Sequence, residues 1–248
     1  MISMLTSADI GIIGGADGPT AIFVARSAFP WLLPAGVFLL LIAAYLCMCH
    51  AAGKKAHSVI ELPDGYREIY TVDLRHNKKL MLRLNGLSIA VTLAMVIPMC
   101  FVVPISTLFS TEQGIGPYLL RFVAYGVGLL MYVILHELTH AAVMRIYGAK
   151  KLRFGFAAGC AFAGSEQDYF DYFSYVQVAL SPLIVLGLIL AVLNLILPIE
   201  WFWVIFLLQV TNVSGAMGDL FVSFRFSKMP RDILIKDTGM AMTVYSRQ

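Results

Sequence analysis

PYLLRFVAYGVGLLMYVILHELTHAAVMRIYG, residues 117–148, is the stretch on which the reading of this chain turns. It is long and apolar, so it reads as one helix able to cross a bilayer. Inside it lies His136-Glu137-Leu138-Thr139-His140, an H-E-x-x-H motif. Helical positions i and i+4 share a face, so His136 and His140 can aim two imidazoles at one metal ion while Glu137 handles a proton beside it. With 5 histidines in 248 residues, chance supplies only about 0.002 such matches. Coincidence is therefore a poor account of the motif.

Burial strengthens the argument. A charge inside a membrane-spanning helix costs about 2.5 kcal/mol or more unless something compensates it. A bound dication would convert that cost into coordination. The competing reading is a polar cluster bonded to neighbouring helices with no metal.

Composition places the rest of the chain in the same setting. Hydrophobic residues make up 59% and charged residues 13%, with a mean hydropathy of +0.80. Soluble domains carry about 25% charged residues, so an integral membrane protein is expected. Candidate spans are 31–49, 86–109, 117–148, 175–197 and 201–224. No basic region with a cleavage site opens the sequence, and no removable signal peptide is expected.

In this five-span arrangement, sixteen of the eighteen lysines and arginines fall on one side, in 51–85, 145–153 and the tail. The positive-inside rule makes that side cytoplasmic. Trp31, Trp201 and Trp203 then fall at the opposite interface, where indoles prefer to sit. The expected fold is an all-α integral membrane protein of about five transmembrane helices, with small cytosolic β-hairpins. Its parts are an N-terminal element and first span (1–50), a cytosolic segment (51–85), a transmembrane core (86–224) and a cytosolic tail (225–248).

Three segments have their own character. Ala8–Ala25 is apolar but interrupted by Gly14, Gly15, Asp17, Gly18 and Pro19, which predicts a broken or re-entrant element. The small-residue run 155–164 (GFAAGCAFAG) beside the motif suits pairing with an extended peptide, although a plain return loop reads as well. The tail 232–245 alternates around Asp237-Thr238-Gly239 and reads as a hairpin. Cys47, Cys49 and neighbouring His50 suggest a second metal site less readily than apolar packing of reduced thiols.

A catalytic zinc takes three protein ligands. Asp219, in the run Asn212-Val-Ser-Gly-Ala-Met-Gly-Asp219, lies on a helix running in the same direction as the motif helix and at matching depth. It is the expected third ligand, with Glu166, Asp168 and Asp171 as alternatives. Asn212, seven residues earlier, shares its helical face. It would bind a substrate carbonyl or oxyanion, or else form a structural bond between helices. Gly215 and Gly218 would let another helix come close.

These residues resemble two known groups. His136–His140 followed by Asn212 and Asp219 on a later helix looks like the intramembrane metalloproteases of the site-2 type, although Gly215 and Leu220 depart from that group's proline and Asp-Gly pattern. Residues from about 60 to 245 look more closely like a bacterial family of membrane zincin peptidases. The runs LPDGYREIYTVDLRHNKKLMLRLNG, HELTHA, KLRFGF and NVSGAMGDL carry this likeness. Separately, GIIGGADGPTAIF (11–23) resembles a motif of the membrane β subunit of sodium-pumping decarboxylases, with Asp17 in the place of a functional aspartate.

The expected activity is zinc-dependent hydrolysis of a membrane protein or peptide substrate near the cytosolic side. In this reading Zn²⁺ is held by His136, His140 and Asp219, and Glu137 is the acid–base catalyst. The bilayer is the expected surrounding and nucleic acid is not an expected partner. A homo-oligomer or membrane partner would dock through residues 8–26. The rival readings are an ion-binding carrier or accessory subunit using Asp17, and an inactive zincin-like membrane scaffold.

Overall fold

The computed structural model describes residues 8–15, 18–26, 58–73, 77–157, 160–239 and 241–247. Four helices among them are long and apolar enough to cross a membrane: Lys78–Val102, Ile115–Ile146, Tyr172–Ile196 and Ile199–Phe226. They correspond to four of the five expected spans. The expected span 31–49 lies outside the described residues, as do Asp17, Trp31, Cys47, Cys49 and His50.

Helix α1 (Lys78–Val102) starts at Asn77, whose side chain accepts from the Leu80 N–H at 3.0 Å. This is the ordinary way to satisfy a donor that has no partner within the helix. Helix α2 (Ile115–Ile146) carries the metal motif. It ends in a Schellman turn: Gly148 takes φ +100°, its N–H reaches the Arg145 carbonyl, and the Ala149 N–H reaches Met144. Helix α3 (Tyr172–Ile196) is capped by Asp171, whose carboxylate accepts from the backbone N–H groups of Phe173 and Ser174.

The last span is not one rod. It holds a 3₁₀ turn (Ile199–Trp201), helix α4 (Phe202–Gly215) and helix α5 (Met217–Phe226). The break falls at Ala216, where φ −78° and ψ 10° leave the helical path.

Strands add more than the separate hairpins expected beside an all-α core. Strands β3 (Ser58–Val59), β4 (Tyr66–Asp73), β7 (Tyr169–Asp171), β8 (Leu234–Asp237) and β9 (Ala241–Arg247) form one antiparallel sheet in the order β3-β7-β8-β9-β4. The expected tail hairpin is present as β8–β9, but it lies inside this sheet, between β7 and β4. Hydrogen-bonded strands cannot lie on opposite sides of a bilayer, so in a membrane all five strands of this sheet would share one side.

Strands β5 (Leu152–Ala157) and β6 (Cys160–Ser165) make a separate two-stranded ribbon. At the N-terminus, β1 (Ala8–Gly15) and β2 (Gly18–Arg26) pair antiparallel, with an irregularity between Ile13 and Gly14. The element expected here to be broken or re-entrant is thus built of two paired strands. The glycines do prevent a smooth helix, but cross-strand pairing satisfies the freed backbone groups directly.

Two cores hold the helices. At the sheet end, Met144, Phe170, Tyr175, Val178, Val222, Phe226, Ile235 and Val244 pack together, fastening the ends of α2, α3 and α5 beneath the sheet. At the opposite end, Phe202, Trp203, Phe206 and Leu108 form a second cluster. Trp203 is fully buried there and donates its indole N–H to the Pro104 carbonyl at 3.2 Å. Helix α1 buries no residue fully; it meets the last span through Met95, Val96, Met99 and Cys100, which pack on the second cluster, and through Ser88, whose hydroxyl donates to the Ser214 carbonyl at 2.7 Å. Much of its remaining apolar surface, including Leu82, Leu87, Ile89, Leu93, Ile97 and Phe101, is exposed.

Gly164 marks where the ribbon meets the sheet. A Cβ placed there would stand 2.2 Å from the Gly239 nitrogen and 2.4 Å from the Thr238 carbonyl carbon, both backbone atoms. Gly164→Ala is therefore expected to push the β8–β9 turn off β6 and to destabilise the fold by about 1–3 kcal/mol. A thermal melt in detergent checks this; an unchanged midpoint would show that the contact is not rigid.

Candidate metal centre

The motif helix delivers what its spacing promises. The rings of His136 and His140 lie with centroids 4.9 Å apart, at 82° to each other. Asp219, in the first turn of α5, faces both: its Oδ2 is 3.5 Å from His136 Nε2 and its Oδ1 is 3.7 Å from His140 Nε2. One donor atom from each residue lies within 4.8 Å of the others.

These separations are long for hydrogen bonds. Donors held about 2.0–2.2 Å from a tetrahedral ion stand roughly 3.4 Å apart. Two imidazole nitrogens and one carboxylate, spaced in this way and nearly buried, fit a metal better than they fit one another. The break at Ala216 contributes by starting α5 just before Asp219, so the carboxylate sits at the favourable N-terminal end of a helix dipole.

The far nitrogens of both rings are tethered. His140 Nδ1 lies 2.9 Å from the Val178 carbonyl. A carbonyl can only accept, so this nitrogen carries the proton and leaves the Nε2 lone pair for a metal. His136 Nδ1 lies 3.1 Å from the Tyr132 hydroxyl. Tyr132 precedes His136 by one helical turn, a spacing visible in the sequence. The same hydroxyl would meet a Cβ at Gly215 at 3.1 Å, so Gly215 is where α4 passes close to α2.

A cavity of about 200 Å³ opens on the triad. Glu137, Asp219 and Asp237 line it together with the two histidines, and among the described residues no lysine or arginine does. Three carboxylates without a cationic partner make a local field that favours a positive ion. Ala163, on β6, lines the same cavity, with its backbone N–H on the side of the Glu137 carboxylate. Asp237, on β8, accepts from the Tyr175 hydroxyl at 2.8 Å and from the Gly239 N–H at 2.7 Å. Burial pushes its carboxyl pKa up to about 6. Neither Asp237 nor Tyr175 is marked in the sequence, because they meet only when the tail sheet folds back onto α3.

The other candidate residues are employed elsewhere. Asn212 is fully buried and donates to the Leu183 carbonyl on α3 at 3.0 Å; it does not line the cavity. The seven-residue spacing puts it on the face of Asp219 only if the helix is continuous, and the break at Ala216 ends that alignment. Glu166 pairs with Arg153, Asp168 accepts from the Ser165 hydroxyl, and Asp171 caps α3. None of the three lines the cavity.

Residues 129–234 match a family model described as "Putative zincin peptidase". This stretch contains the motif helix from Leu129 onward, all of α3 and Asp219. The match supports a zincin-like metallopeptidase and implies zinc as the metal for the cluster. No curated protein and no solved structure matches the chain.

Proposed function

We propose that the protein is a zinc-dependent, membrane-embedded peptidase that cleaves membrane or membrane-proximal segments near the cytosolic side. One observation carries this reading: a proton-handling carboxylate and three metal-donor atoms converge in one cavity beside the free edge of a β-strand.

Zinc, when bound by His136, His140 and Asp219, supplies Lewis acidity and lowers the pKa of a water toward 7. Glu137 takes the proton from the attacking water and passes it to the departing amine as the C–N bond breaks. Val178 and Tyr132 hold the two rings in place.

Substrate would lie as an added strand along β6. Among the described residues that strand pairs on one side alone, with β5. Ala161 and Ala163, two apart and so with backbone groups on the same edge, both line the cavity. The apolar wall formed by Met144, Val178, Ala179 and Val222 suits an aliphatic side chain. The shared sheet, together with the clustering of basic residues on its side of the chain, supports a cytosolic location for this end of the molecule.

Elemental analysis of gently purified protein tests the reading. One zinc per chain is the expected result. A preparation that holds no stoichiometric transition metal, and takes none up when zinc is supplied, would overturn it.

A further inference from the structure

Helix α3 contains a proline, Pro182, in its interior. Proline has no N–H, so the carbonyl four residues earlier loses its helical partner, and the ring pushes that carbonyl away from the helix axis. Four before 182 is 178. The Val178 carbonyl is the atom that accepts from His140 Nδ1 at 2.9 Å, and it also accepts from the Ser181 hydroxyl at 2.7 Å.

We propose that Pro182 is a positioning residue for the metal centre: it frees and tilts the Val178 carbonyl, which then fixes the tautomer and orientation of His140. The inference rests on the peptidase reading above but concerns a different link, between a backbone defect in α3 and a ligand on α2.

A carbonyl oxygen offers two lone pairs. Here both are taken by side chains, one from each of two helices. An amide N–H at position 182 would be a third donor competing for two sites, and it would draw the carbonyl back into line with the α3 axis. Val178, Ser181 and Pro182 are all buried, so losing this bond is costly. With its tether gone, His140 would be free to place its proton on Nε2, the nitrogen that faces Asp219 and the metal position. Partners of this kind behind a ligand are worth about 10–100-fold in metal affinity.

The experiment compares wild type, Pro182→Ala and, as a control, Pro98→Ala in α1, another proline inside a spanning helix. Zinc affinity is measured by competition with a chromophoric chelator, and the histidine tautomers are read in the metal-free proteins by ¹⁵N NMR in bilayers. Wild type should show His140 protonated at Nδ1. Pro182→Ala should bind zinc about 10–100-fold more weakly, with His140 shifted toward the Nε2–H form and His136 unchanged. Pro98→Ala should match wild type in both measurements.

A folded Pro182→Ala that binds zinc like wild type would overturn the positioning role and leave the peptidase reading intact. Wild type that binds no zinc would overturn both. Should Pro182→Ala fail to fold, wild type alone decides, since an Nε2–H tautomer at His140 contradicts the proposed tether.

Discussion

Glu137→Gln should keep its zinc and lose cleavage of a membrane peptide by about 10²–10⁴-fold, the usual worth of a positioned acid–base group. Glutamine has nearly the same shape and can fill the same place beside Ala163. It cannot take a proton at neutral pH. Glu137 is also absent from the donor triad, so metal content should not move. The informative measurement is therefore paired: zinc per chain and turnover on the same sample. Full turnover with zinc present would remove Glu137 from the mechanism.

The second large effect is expected at Asp219. Partners behind a metal ligand cost about 10–100-fold in affinity when removed. Loss of one of three direct donors should exceed that, so Asp219→Ala is expected to bind zinc more than about 100-fold more weakly. Glu166→Ala makes the comparison sharp. Glu166 was an alternative third ligand on sequence grounds, but it is exposed and paired with Arg153. Its removal should leave zinc affinity unchanged. The opposite ranking of the two variants would mean that the metal sits elsewhere.

How much of this was legible in the sequence follows from which contacts are local. The motif helix was, because its two histidines need only the helical repeat to meet. Asp219 was legible as well, since direction and depth along two spans can be counted. Four of the expected spans correspond to helices for the same reason. The five-stranded sheet was not legible: β4 pairs with β9 from Tyr66↔Arg247 to Asp73↔Ala241, and pairing over such separations leaves no local signature. The N-terminal glycines were ambiguous, because they forbid a smooth helix without saying whether strands replace it. The alignment of Asn212 with Asp219 assumed an unbroken helix, and a single residue, Ala216, undoes it. Pro182 carries no local sign of a role at the site. Its link to His140 exists only where α3 crosses α2.

The chain from Met217 to Gly239 carries Asp219 on α5 and then, through one short connection, the β8 strand and Asp237. One continuous piece therefore supplies both a donor of the metal triad and the middle of the five-stranded sheet. Thermodynamic reciprocity then couples the two. An ion that binds only when Asp219 is docked must also hold β8 among its neighbours, and at a hundred times its dissociation constant it would add about 2.7 kcal/mol against their separation. Conversely, anything that pries the sheet apart would loosen the cation, so a partner grasping this domain could empty the centre from a distance.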